Sequence, residues 1–201
     1  MADSPTTLTD RVRRITAKVV SGAGSALHRA GIHPDTLTIL GLGSVALAAV
    51  FIGAGQLQVG GLILLLGLPL DALDGAVARA MQRTDQFGGV LDSTLDRYAD
   101  GFIFGALGYY FASLGQQTDL LLALAALVGS YGVSYVRARA GEAGLSVKVG
   151  LLTRMERVVI ILVALLVPPL LVPGLWILAV GTNITALQRL WFVYRSMQQK
   201  M

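Results

Sequence analysis

Six apolar segments, near residues 36–55, 60–80, 88–114, 119–140, 155–172 and 174–196, each hold enough hydrophobic length to cross a bilayer, some only when tilted. A charged fraction of 14% and a mean hydropathy of +0.67 leave such runs no home in a soluble core. The 201 residues are used up by spans and short loops, so any chemistry sits within the helical bundle itself. The expected fold is an all-α integral membrane protein of six transmembrane helices. Pro168-Pro169 and Pro173-Gly174 punctuate the last two segments, where a helix must kink or stop.

The 16 Lys and Arg residues fall on one side of this arrangement. The connectors around 53–59, 115–118 and 172–174 contain none, which places both termini in the cytoplasm by the positive-inside rule and agrees with an even number of spans. Ahead of the first span, Val12, Ile15, Val19, Ala23 and Ala26 recur at helical steps beside a stripe of Arg11, Arg14 and Lys18. This pattern predicts a cytoplasmic amphipathic helix lying on the membrane surface; a basic helix packed on its own protein would show the same stripe. Residues 1–31 are therefore expected to form an interfacial helix, bending through the Gly- and Ala-rich stretch 21–31, and residues 32–201 the membrane domain. Residues 1–30 lack the continuous apolar core of a cleavable signal peptide. The absence of cysteine excludes disulfides and thiolate metal sites.

Ionisable groups inside apolar spans are costly, and here they are concentrated. Asp71, Asp74, Gly75 and Ala78 stand at i, i+3, i+4 and i+7, so a helix carries both carboxylates and two small residues on one face. Gly88, Asp92 and Asp96 form a matching stripe on the next helix, and residues 80–87 permit an antiparallel hairpin between the two. Four carboxylates brought that close cannot all stay ionised unaided. One or two divalent cations resolve the conflict, and ligands that are all oxygen suit Mg²⁺ or Mn²⁺, which usually hold substrate phosphates as well. Arg79 adds a fixed cation for phosphate oxygens. A set of Asp–Arg pairs locking helices together would need four separately paired carboxylates and would leave the small residues unexplained.

Residues 71–96 read D-x2-D-G-x2-A-R-x8-G-x3-D-x3-D, which resembles the full signature of the CDP-alcohol phosphotransferase family. The resemblance implies transfer of a phosphatidyl group from CDP-diacylglycerol to an alcohol, with release of CMP. It implies that Asp71, Asp74 and Asp92 hold two metal ions, Mg²⁺ or Mn²⁺, and that Asp96 touches the second ion and serves as the catalytic base. It further implies CDP-lipid contacts from Gly75, Ala78 and Arg79, with Pro34, Asp35, Thr36 and Leu37 closing over the nucleotide. Relatives commonly carry Thr or Ser six residues beyond the motif arginine as a nucleotide contact; this chain has Asp85 there and Thr84 one place earlier, and the resemblance implies CDP-lipid contacts from these two residues.

The stretch Ser134-Tyr135-Val136-Arg137-Ala138-Arg139-Ala140, followed by Thr153-Arg154-Met155-Glu156-Arg157, is rich in arginine. Plain alcohols do not need such a cluster, whereas an acceptor bearing its own phosphate does. Cytoplasmic positive-inside charge is the alternative source of these residues. The pattern is similar to that of the phosphatidylinositol phosphate synthases within the family, which implies an acceptor-phosphate pocket from Arg137, Arg139, Arg154, Arg157 and Arg189. The implied acceptor is 1D-myo-inositol 3-phosphate (L-myo-inositol 1-phosphate), with Thr153 standing where relatives often have Glu. Glycerol 3-phosphate, giving phosphatidylglycerol phosphate, is the alternative within the family. A divalent-cation transporter would need acidic residues along a complete pathway, and the outer halves of these spans are wholly apolar. The expected partners are the two substrates and membrane lipid, with no nucleic acid. The expected location is the cell membrane, with the active site facing the cytoplasm. Gly101, Gly105 and Gly108 form a thin helix face that suits a homodimer as well as packing within one chain.

Overall fold

The computed structural model describes the backbone of residues 8–199 and the side chains from Val19 onward. The basic stripe of Arg11, Arg14 and Lys18, with Val12 and Ile15, lies outside the described side chains. Among the described residues the chain is all helical: α1 Leu8–Arg29, α2 Pro34–Gly53, α3 Leu57–Ala80, α4 Phe87–Ser113, α5 Gln117–Glu142, α6 Arg154–Leu166, a 3₁₀ turn Pro168–Leu170, and α7 Leu171–Gln198.

Turn chemistry sets the helix ends. Gly31 (φ +76°) closes α1, with its N–H donated to His28 and that of Ile32 donated to Leu27, the left-handed C-terminal geometry that favours glycine. Pro34 opens α2 at a position where no N–H is needed. Gly55, Gly115 and Gly144, all at positive φ, end α2, α4 and α5 in the same way as α1. The stretch 21–29 does not bend as expected; it continues α1 to Arg29, and the turn comes only at the positive-φ glycine.

Among the described residues, four helices are long and apolar enough to cross a membrane: α2, α3, α5, and α7 together with its 3₁₀ lead-in. The other two expected spans differ for separate reasons. Helix α4 has the length, at 27 residues, but carries Asp92, Asp96, Arg97 and Asp100 in its first half. Helix α6 is only 13 residues, or about 20 Å, against a hydrocarbon core of about 30 Å. The expected break at Pro173-Gly174 is absent. The chain turns earlier, at Pro168–Leu170, and Pro173 falls in the first turn of α7, where its missing N–H has no carbonyl to reach. Gly174 then gives α7 its close approach to Ala164 of α6, where an added Cβ would lie 2.9 Å from the alanine Cβ.

The described residues up to Gly43 together with Leu66–Asp96 form one compact unit; Ser44–Leu65 with the described residues from Arg97 onward forms a second. In the first, Gly24 of α1 packs directly on Ala76 of α3, with room for no larger side chain, and Val77 and Leu37 are buried. The second holds the main apolar core, built on Ile52, Leu107, Phe111, Leu165, Leu175 and Leu178. Within it α5 and α7 pack through Gly129, whose absent Cβ would strike Thr182, and Asn183 donates across the seam to the carbonyl of Ala125 at 3.0 Å. Small residues and interhelical polar contacts are how helices associate where apolar burial gives no drive against lipid.

Candidate active site

Helix α3 reaches the site through Pro69, whose ring removes one helical hydrogen bond two residues before Asp71. The i, i+3 spacing then places Asp71 and Asp74 on one face, and α4 brings Asp92 to them. One carboxylate oxygen from each of these three lies within 4.8 Å of the others. Three carboxylates converging on one point, with no imidazole or thiolate among them, fit a hard divalent cation. Asp96 is one turn further along α4 and is not in this group of three.

Asp74 is the most tightly held. It is 9% exposed; its Oδ2 accepts from Thr38 Oγ1 at 2.8 Å, and its Oδ1 from the backbone N–H of Gly75. Thr38 is absent from the sequence-based candidates because it lies 36 residues from Asp74, but its place one turn after Pro34 was a visible signal. Of the proposed nucleotide-closing residues, Pro34 and Leu37 point into the protein, Thr36 is exposed, and Asp35 is half-buried. The guanidinium of Arg79 lies beside Gly75, where an added Cβ would sit 3.4 Å from Nη1. Thr84 is exposed.

Asp85 has a different environment from the one expected of a nucleotide contact. Its Oδ1 accepts the N–H groups of Phe87 (3.1 Å) and Gly88 (3.4 Å), which opens α4, and its Oδ2 accepts from Arg83 Nε at 2.5 Å. The Arg83 hydrogen bond, reinforced by the two amides, holds the Asp85 carboxyl below its ordinary range. Asp85 and then Asp35 push the Arg83 guanidinium in the opposite direction, further into its charged form.

The arginines of the second unit sort by burial. Arg157 and Arg189 are each 5% exposed. Arg189 Nη1 donates to Val133 of α5 and Nε to Val149, both at 2.9 Å, so it pins the loop before α6. Thr185 assists by accepting from the Leu152 N–H at 3.0 Å, and Gly150, at φ +134°, leaves the space that Thr185 and Arg189 occupy. Arg157 Nη2 meets Asp100 Oδ2 at 3.4 Å, while its buried Nε has no hydrogen-bond partner. Asp100 was also overlooked, although it continues the four-residue step from Asp92 and Asp96. Arg137 is exposed and Arg154 half-buried; Arg139 turns to an exposed ion pair with Glu142. Thr153, the departure from Glu, is the N-cap of α6, and its N–H bonds Glu156 at 2.8 Å. Gly101 faces Tyr131 of its own chain, whereas Gly105 lines an apolar hollow of about 1000 Å³ between α2 and α4.

The family model of the CDP-alcohol phosphatidyltransferases matches residues 31–188, which include the acid cluster. The chain belongs to this family. A phosphatidylinositol phosphate synthase of Mycobacteroides abscessus is 40% identical over 192 residues, covering 92% of this chain and 87% of that protein. An uncharacterized protein of Aquifex aeolicus is likewise 40% identical, over 84% of this chain and 86% of its own length. The crystal structure of Mycobacterium tuberculosis phosphatidylinositol phosphate synthase with CDP-DAG bound superposes with a TM-score of 0.83 at 35% identity, covering 88% of this chain and 94% of that one. The same enzyme in complex with manganese and citrate gives 0.82, also at 35% identity, over 87% and 88%. As a family member this chain is a membrane-embedded transferase, and its three-carboxylate cluster suits the divalent cation such chemistry uses.

Proposed function

We propose that this chain transfers a phosphatidyl group from CDP-diacylglycerol to an inositol phosphate, releasing CMP and giving phosphatidylinositol phosphate. The observation that carries the reading is the convergence of Asp71, Asp74 and Asp92 within 4.8 Å on two helices. Divalent cations bound there, two in this reading, neutralise diphosphate charge and favour displacement at phosphorus.

The residues divide the remaining work. Asp71, Asp74 and Asp92 supply ligand oxygens, and Asp96 touches the second ion and takes the proton from the acceptor hydroxyl. That oxygen forms a bond to the phosphatidyl phosphorus as the bond to the CMP oxygen breaks. Arg79, beside the open Cα of Gly75, meets the diphosphate, and Ala78 keeps the approach clear. Pro34, Asp35, Thr36 and Leu37 frame the nucleotide, with Thr84 and Asp85 in the adjoining connector. Arg157, with an unpartnered Nε, and Arg137 and Arg154 bind the acceptor phosphate; Arg189 holds their loop and Arg139 lies at the margin.

The same reading takes α4 and α6 as the third and fifth of six spans, beside the four longer apolar helices, each completed by protein packing around its polar end. It takes residues 1–31 as the interfacial helix and 32–201 as the membrane domain. Both termini and the acid cluster face the cytoplasm at the cell membrane, and a homodimer forms through the Gly105 face. The test is CMP release by purified protein given CDP-diacylglycerol, Mg²⁺ or Mn²⁺, and either inositol 1-phosphate, glycerol 3-phosphate or plain inositol. Inositol phosphate is the expected acceptor. Preference for glycerol 3-phosphate would make the product phosphatidylglycerol phosphate, and equal use of plain inositol would remove the phosphate-binding role from the arginines.

A further inference from the structure

Arg83 sits in the connector between α3 and α4, four residues past the motif arginine, and its planar fork is fully engaged. Nη1 and Nη2 both meet the carboxylate of Asp35 in the first turn of α2, the Nη2 contact at 3.2 Å, and Nε meets Asp85 at 2.5 Å. The side chain is only 12% exposed. Gly88 is part of the arrangement: a Cβ there would lie 2.9 Å from Nη1 and 3.0 Å from the guanidinium carbon. Asp85 in turn accepts the first amides of α4. One guanidinium therefore joins the start of α2 to the start of α4, the two ends that frame the acid cluster.

We propose that Arg83 is a positioning residue for the CDP-lipid, clamping the first turn of α2 so that the segment Pro34–Leu37 is preformed for the nucleotide. This inference rests on the CDP-diacylglycerol reading above and goes beyond it, because Arg83 touches no substrate: with all three nitrogens turned to carboxylates, it has no free edge for a phosphate. A bidentate fork on one carboxylate and a single bond to another is a geometry that arginine can make and lysine cannot. Exposed single ion pairs contribute little, but this one is bidentate, networked and largely covered. Thr38, one turn along α2, bonds Asp74 independently of Arg83, so loss of the clamp frees the first turn while the acid cluster keeps its own anchor. Loss of preorganisation appears as weaker binding before it appears as slower chemistry.

The test measures binding apart from turnover. Calorimetric titration of CDP-diacylglycerol in micelles with Mn²⁺ gives Kd, and CMP release gives kcat and both KM values. Arg83→Ala is expected to raise Kd and KM for CDP-diacylglycerol about tenfold, with kcat and the acceptor KM within about twofold of wild type. Arg83→Lys, which keeps the charge and guards against a folding defect, falls between the two. Gly88→Ala removes no charge, yet by crowding the guanidinium it raises Kd in the same direction. Asp85→Asn, which keeps the oxygen that caps α4, raises it less than Arg83→Ala. Unchanged Kd in Arg83→Ala and Gly88→Ala would overturn the clamp, as would a loss of kcat with Kd intact. Wild-type protein that binds CDP-diacylglycerol but transfers to no phosphorylated alcohol would overturn the functional reading alone.

Discussion

Asp100→Asn isolates the counter-charge of a buried guanidinium. Arg157 is 5% exposed and its Nη2 lies 3.4 Å from Asp100 Oδ2. At an effective dielectric near 20 such a pair attracts by about 4 kcal/mol. Removing one partner leaves the other buried and unpaired, a loss measured at about 3–5 kcal/mol in buried pairs. Asp100 is 21% exposed, so water recovers part of this and the lower figure applies. For a chain of this size about 3 kcal/mol corresponds to a fall of about 6–12 °C in the unfolding midpoint.

The measurement is thermal unfolding in detergent of the wild type, Asp100→Asn, Arg157→Gln and the double variant. The double variant should be more stable than the sum of the single losses predicts, because it leaves no orphaned charge. The acceptor KM should rise in Asp100→Asn while the CDP-diacylglycerol KM stays put, since a released guanidinium no longer presents its Nε in place. A midpoint within 1 °C of wild type, or losses that simply add, would refute the reasoning.

Asp96→Asn should abolish CMP release while leaving CDP-diacylglycerol binding largely intact; near wild-type turnover would exclude Asp96 as the base. Asp74→Asn should weaken Mn²⁺ affinity severely, and Thr38→Val, which only removes the hydroxyl behind Asp74, should weaken it by about 10- to 100-fold, with Thr38→Ser restoring it. Unchanged affinity in Thr38→Val would mean that the hydroxyl does not orient the ligand. The Asp85 carboxyl is held below its usual 3.8 by Arg83, so its contribution is complete above that pH and is lost as the pH falls through the lower folded value. The unfolding midpoints of wild type and Asp85→Asn should therefore differ by a constant amount between about pH 5 and 8 and converge below about pH 4; a difference that changed near neutrality would contradict the assignment.

The acid cluster was legible because its geometry is local. The spacing of Asp71 and Asp74 fixes their shared face whatever the rest of the chain does, and the short connector leaves few ways to bring Asp92 elsewhere. The four longer apolar helices were legible for the same reason, since their signal is length and composition. The arginines were not. Arg137 and Arg154 stand in the more suggestive sequence context, yet burial falls on Arg157 and Arg189, whose partners are Asp100 and two backbone carbonyls 40 and 56 residues away. Nothing in a cation's neighbours along the chain reveals which carbonyl it will meet. The last two helices show the limit of proline as punctuation: Pro168 ends a helix and Pro173 does not, because the second falls in a first turn that needs no donor.

The motif glycines carry an argument that spacing alone does not supply. Gly75 leaves the Arg79 guanidinium room beside the acid cluster, and Gly88 leaves room for that of Arg83. At Gly75 an added Cβ would only touch Arg79 Nη1 at 3.4 Å, whereas at Gly88 it would press on the Arg83 guanidinium at 2.9 Å, so Gly88 should tolerate alanine worse than Gly75, and worse than Gly89, where an added Cβ meets nothing within 4 Å. The same reasoning separates Asp85 from a defective Thr: its second oxygen reaches Arg83 while the first caps α4, two tasks that a single hydroxyl cannot perform together. A carboxylate at this position and an arginine two residues before it form one device, and replacing Asp85 by Thr alone should loosen the connector that Arg83 now ties down.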